Sequence, residues 1–203
     1  MPLEEFDTTM LHGKKQRNVS TRVYYYVRNI IFSDQTGQFP LVVAQQKKYI
    51  MIMVGIDSNT ILVELSRRKD AELTRAYRVL IVPLKTAGSV TKKHVCNNEI
   101  SEAMKTVIWD KYNIEMELVP PGCHRHNAAD VAIRNFKAHF LSILAGVACD
   151  CPKSLCDCLL PQAEVITNLL QQLNSTPSVS AYTHLNSPVN YNMMSLAPMG
   201  CAA

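Results

Sequence analysis

Apolar and polar positions along this chain fall into two distinct rhythms, a β-like one in the first third and a helical one in most of the rest. Residues 23–32 are rich in Val, Tyr and Ile, residues 49–56 form a nearly continuous apolar run, and residues 60–65 follow after Asp57-Ser58-Asn59. Runs of this length and composition predict three strands, the last two joined as a tight hairpin whose turn Asp, Ser and Asn supply. From Asp70 the period becomes helical: Leu73, Tyr77, Leu80 and Leu84 share a stripe and Gly88 stands where a helix would end. Pro83 conflicts with that stripe, because an interior proline costs about 3 kcal/mol, so the helix is expected to bend near its end or to stop early.

A short strand is expected over residues 94–96, then a helix starting near Asn98 and carrying Ile100, Met104, Val107 and Ile108. Another strand over residues 116–119 stops at Pro120-Pro121-Gly122, a strong loop signal. The strongest element is a long amphipathic helix from about Asn127, in which Ala129, Ile133, Phe136, Phe140, Ile143 and Val147 step by three or four. A last helix is expected near Pro161, with Val165, Ile166, Leu169, Leu170 and Leu173. The order βββαβαβα implies a mixed α/β sheet with helices packed on it, plus a C-terminal helix. Beyond Asn174 the chain has no Lys, Arg, Asp or Glu and no periodicity, which predicts an irregular tail over residues 175–203, read as ending in a truncation.

Composition narrows the class. At 203 residues, 47% apolar and 19% charged, the chain suits one soluble globular domain with tails. No apolar run approaches the roughly 18 residues that span a bilayer, so no membrane partner is expected. The start Met1-Pro2-Leu3-Glu4-Glu5 has no secretory pattern, and the seven cysteines are read as reduced thiols of an intracellular protein. The net charge of +4 is uneven: Lys153 alone faces Asp150, Asp157 and Glu164 after residue 140, so the cationic surplus lies before it. Lys14, Lys15, Arg17 and Arg22 make residues 1–28 a basic flexible arm. A modest surplus of this kind is compatible with a polyanion partner.

Candidate chemistry lies where strand ends should converge. Asp34 is expected just after the first strand, Asn97-Asn98-Glu99 after the fourth, and Asp130 at the start of the long helix. On that helix Asp130, Arg134 and Lys137 fall at i, i+4 and i+7, one face that pairs a possible metal ligand with two phosphate-binding cations. Each has a plainer reading: Asn127 to Asp130 is close to a capping box, Asn97 or Asn98 suits an N-cap, Asp34 suits a turn, and Arg134 and Lys137 suit a solvated helix face. Cys149-x-Cys151 and Cys156-x-Cys158 have gaps shorter than structural zinc sites use.

The run Ser33-Asp34-Gln35-Thr36-Gly37-Gln38-Phe39-Pro40, the strand Lys48 to Val54, Asn97-Asn98-Glu99, and Asn127-Ala128-Ala129-Asp130 with Arg134 and Lys137 together resemble the integrase catalytic core of LTR retrotransposons and retroviruses. Leu159-Leu160-Pro161-Gln162-Ala163 and Leu196-Ala197-Pro198 extend the likeness over residues 29–203. The resemblance implies a ribonuclease-H-like core over residues 29–148, a helical extension over 149–174, and two-metal DNA strand transfer. Its implied catalytic positions are Asp34, Asn97 and Asp130, with Asp34 and Asp130 holding Mg²⁺ or Mn²⁺. Arg125, Arg134 and Lys137 would bind nucleic acid, the partner would be DNA as element ends and target, a homodimer is its oligomeric option, and the compartment would be intracellular, the nucleus if the protein is functional.

Two departures qualify that implication. The family's second acid falls on the neutral amide of Asn97, and its helical Glu falls on Asp130, one methylene shorter. An amide supplies no charge against a dication, so the resemblance implies impaired catalysis. Residues 1–28 contain His12 but no cysteine, unlike the zinc module that usually precedes such a core. The alternative is a non-enzymatic nucleic-acid-binding or protein-interaction remnant of a transposable element. A cysteine-based metal module is a third, weaker reading.

Overall fold

A computed structural model describes residues 28–37, 48–67, 70–97, 100–120, 128–147, 157–190 and 192. In it the strands are β1 (Ile30–Gln35), β2 (Tyr49–Gly55), β3 (Thr60–Ser66), β4 (Lys93–Asn97) and β5 (Glu115–Val119). The helices are α1 (Asp70–Thr86), α2 (Glu102–Tyr112), α3 (Ala128–Ala145), α4 (Leu160–Leu170) and α5 (Ala181–Leu185). The strands form one sheet in the order β3-β2-β1-β4-β5. The β1–β2–β3 pairings are antiparallel, whereas β4 lies parallel to β1 and β5 parallel to β4. The expected mixed α/β sheet with helices packed on it is what forms.

The near-continuous apolar runs of β2 and β3 arise because the sheet is covered on both faces. Ile50, Ile52, Val54, Ile61 and Val63 point to one face and pack against Ala129, Ile133, Phe136 and Phe140 of α3 and Ala163 of α4. Alternate residues Ile31, Met51, Met53 and Leu62 point to the other and meet Tyr77, Leu80, Ile81 and Leu84 of α1 with Met104 and Ile108 of α2. Phe136 and Phe140 stack with ring centroids 6.0 Å apart, and both are fully buried. Truncating either to Ala would cost on the order of 3–5 kcal/mol.

Several boundaries differ from the sequence expectation. The first strand runs through Asp34 instead of ending at Phe32, because β1 is central and its ladder with β2 continues to Asp34↔Ile52 and Gln35↔Met51. α1 continues through Pro83, helped by a bond from the Ala87 N–H to the Pro83 carbonyl at 2.9 Å. It ends at Gly88, whose φ of 78° allows the Ser89 N–H to reach Leu84 O and the Gly88 N–H to reach Lys85 O, a Schellman closure. Ser101 caps α2, its side chain accepting the Met104 N–H at 3.3 Å, so Asn97 is a strand residue and not the cap.

The region expected to be an irregular tail contains α5, introduced by Ser180, whose side chain accepts the Thr183 N–H. Gln172 and Ser180 form a β-bridge that folds this segment back, and Leu173 and Ala181 are buried. Periodicity could not reveal a five-residue helix whose order comes from docking. α4 lies along the free edge of β3, where Asn168 and Glu164 bind the outward-facing backbone of Ile61 and Val63. That contact satisfies groups which would otherwise template strand addition.

Candidate active site at the strand ends

β1 and β4 run parallel in the register Ile31↔His94, Phe32↔Val95 and Ser33↔Cys96, so the next step places Asp34 and Asn97 on the same face. Phe32 belongs to the α3 side of the sheet, and Asp34, two residues on, shares that side. Both Asp34 and Asn97 border a cavity of about 40 Å³ that Met51, Leu73, Cys96 and Met104 also line. Asp34 Oδ1 accepts the N–H of Gln35 at 2.7 Å, which fixes one carboxylate oxygen.

Asp130 occupies the first turn of α3, next to Ala129, which is fully buried in the core on that same face. Asp130 is half-buried and does not line the cavity that Asp34 and Asn97 share. Arg134, exposed, and Lys137, half-buried, follow at successive turns. Arg125, His124, His126, Asn98 and Glu99 lie outside the described residues, as do Asn127 and all cysteines except Cys96 and Cys158.

No protein-family model and no curated protein matches the chain in sequence. Among solved structures it is similar to the catalytic core domain of BIV integrase, with a TM-score of 0.53 and 13% identity over 77% of this chain and 92% of that one. It is also similar to a chain in the simian T-cell lymphotropic virus intasome bound to PP2A regulatory subunit B56 gamma, with a TM-score of 0.58 and 14% identity over 87% of this chain and 59% of that one. The chain has the fold of a retroviral integrase core. At such identities the likeness is one of ribonuclease-H-like architecture.

Behind the strand ends of this integrase-like core lies a buried polar layer that the sequence reading passed over. Ser33 Oγ and His94 Nε2 are 2.6 Å apart, linking β1 to β4 one residue before Asp34 and three before Asn97. Burial drives the His94 pKa down to about 3, so the imidazole is neutral. Its ring lies 5.2 Å from that of Tyr77, whose phenol burial pushes well above the ordinary range. His94 Nδ1 and Tyr77 OH have no hydrogen-bond partner among the described residues. The Cys96 thiol is pushed up to about 12, first by burial and then by the charge of Asp34, with Lys105 opposing. The signal available for this layer was the alternation His94-x-Cys96, which puts both side chains on one face of β4.

A two-metal centre holds a pair of hard dications at close range. Asp34 and Asp130 supply two carboxylates and Asn97 a neutral amide oxygen, too little negative charge for two such ions at close range. Cys96, which lines the same cavity as Asp34 and Asn97, is a protonated thiol, unsuited to Mg²⁺ or Mn²⁺. Among the described residues no group of three or more His, Cys, Asp or Glu side chains could hold a metal. Among the described residues, which leave out Glu99, the donors therefore do not fit a two-metal pair. No helix among the described residues is long and apolar enough to cross a membrane.

Proposed function

We propose that this protein is the integrase-like core of a retroelement, nucleic-acid-associated, descended from a two-metal DNA strand transferase and impaired in catalysis. The observation that supports this reading is the place of Asn97: a neutral amide ends β4 beside Asp34, where the resemblance calls for the second acid. Asp130, one methylene short of the Glu that the family carries, is the second supporting feature. Arg134, Lys137 and Arg125 provide the phosphate contacts, and DNA is the partner, with a homodimer as the assembled form and the nucleus as the compartment. Residues 29–148 are the core, 149–174 its helical extension, residues 1–28 a basic arm, and 175–203 the remaining tail.

The non-enzymatic alternative, a nucleic-acid-binding remnant, is favoured by the same amide. One assay separates the two: strand transfer and nuclease activity with Mn²⁺, on the protein as it stands and on Asn97→Asp combined with Asp130→Glu. Activity in the double variant supports the impaired-enzyme reading. DNA binding without any gain of activity overturns that reading in favour of the remnant.

A further inference from the structure

Two ammonium groups converge on one tyrosine at the far end of the sheet from Asp34. Lys85 Nζ, from the last turn of α1, lies 4.6 Å from the Tyr112 ring centroid, and Lys111 Nζ, from the last turn of α2, lies 5.7 Å from it. Each lysine sits favourably at the carbonyl end of its own helix. That dipole does not account for both meeting over one ring, where like charges repel. Neither lysine has a carboxylate within ion-pair distance among the described residues, whereas Lys93 and Lys105 pair with Glu117 and Glu102. The Tyr112 ring is in turn held edge-on against the buried Tyr77 at 5.8 Å, so the platform beneath the cations is fixed.

One turn back on α2, Trp109 lies at i−3 from Tyr112 and therefore on the same side of the helix. It is 57% exposed, an unusual position for the chain's single tryptophan. Cations without a carboxylate partner among the described residues, on a helix pair that also exposes an indole, are elements that bind single-stranded nucleic acid, phosphates to the lysines and a base stacked on the ring.

We propose that the α1–α2 face is a second nucleic-acid site, in which Lys85 and Lys111 hold the backbone of a single strand and Trp109 stacks one of its bases. α2 leads from the end of β4 to the start of β5, so this patch lies at the opposite end of an eleven-residue helix about 16 Å long from the end that follows β4. The site deepens the nucleic-acid reading given above and rests on it for the class of partner, but it uses none of Arg125, Arg134 or Lys137.

Because Trp109 is the only tryptophan, its emission reports this face alone. Titration of the full chain with a 20-nucleotide oligo(dT), excited at 295 nm, is expected to quench it. Lys85→Gln and Lys111→Gln are each expected to lower the salt slope of binding by about 0.7, and Trp109→Ala to weaken binding about fivefold or more. The quench should persist in Arg134→Ala/Lys137→Ala, which supports this site even if the α3 face binds nothing. Binding with unquenched emission and unchanged slopes in both lysine variants overturns it while leaving the α3 reading intact. So does a dimer that forms without nucleic acid and shifts Trp109 emission to the blue. Failure of the protein and every variant to bind oligo(dT) or duplex DNA removes both readings together.

Discussion

Asn168 holds both backbone polar groups of Ile61, accepting its N–H at Oδ1 at 2.9 Å and donating from Nδ2 to its carbonyl at 2.7 Å. Asn168 is buried, and the two residues are 107 apart in the chain, so a single amide joins α4 to the free edge of the sheet. Asn168→Ala leaves a buried donor and acceptor unmade, each worth about 1–3 kcal/mol. We expect a loss of about 2–4 kcal/mol in urea unfolding; a loss under about 0.5 kcal/mol would show that water replaces the amide at no cost.

Glu164, one turn before Asn168, accepts the Val63 N–H at 2.8 Å. Burial raises its pKa to about 7, with the charge of Glu64 adding to the shift and the Val63 hydrogen bond opposing it. The folded protein therefore holds a proton that the unfolded chain releases near its ordinary value, so this group's contribution to stability is greatest in acid and is lost as pH rises through about 7. Glu164→Gln keeps an acceptor for Val63 and removes the titration. Urea unfolding at pH 5 and pH 8 should show a smaller difference for the variant than for the parent protein; equal differences would mean that Glu164 does not titrate near neutrality.

Gly55 ends β2 where the hairpin closes, and a Cβ there would sit 2.7 Å from Ser58 Oγ and 2.8 Å from Thr60 Oγ1. Those two hydroxyls are buried and bonded to each other at 2.8 Å, so neither moves freely. Gly55→Ala should destabilise by about 1–3 kcal/mol, the usual range for overpacking. Adding Ser58→Ala should recover part of the melting temperature. A Gly55→Ala protein as stable as its parent would show that the turn yields.

The charge deficit at the strand ends has a thermodynamic signature separate from activity. Mn²⁺ should stabilise Asn97→Asp/Asp130→Glu more than the parent protein, because a ligand bound by the folded state alone adds about 2.7 kcal/mol at a hundredfold excess over Kd. Calorimetric melting with and without Mn²⁺ reads the difference directly. Equal shifts in both proteins would place metal binding elsewhere.

Duplex DNA tests the α3 face. Arg134→Ala and Lys137→Ala should each reduce the salt slope of binding by about 0.9, with little dependence on sequence. Anisotropy across a salt series measures it; unchanged slopes would make these two residues a solvated helix face and nothing more.

What the sequence determined by itself is local. The two rhythms located every strand and all helices but α5, since the periods of 2.0 and 3.6 arise from backbone geometry within a few residues. Gly88 was legible as a helix end, and Asp34, Asn97 and Asp130 were legible as residues of interest through the spacing of family motifs. Of the two outcomes expected at Pro83 the early stop does not occur, because a proline's local cost is outweighed when Leu80, Ile81 and Leu84 around it are buried in the core. Only the tertiary structure decided which residues meet. Strand order set Asn97 beside Asp34; chain reversal brought Asn168 to Ile61 and Glu164 to Val63; the packing of α1 on α2 carried Lys85 and Lys111 to one ring. The hydrogen bonds among these contacts join residues 101 and 107 positions apart, farther than any local period extends, and their energies depend on burial, which no single segment possesses before the chain folds.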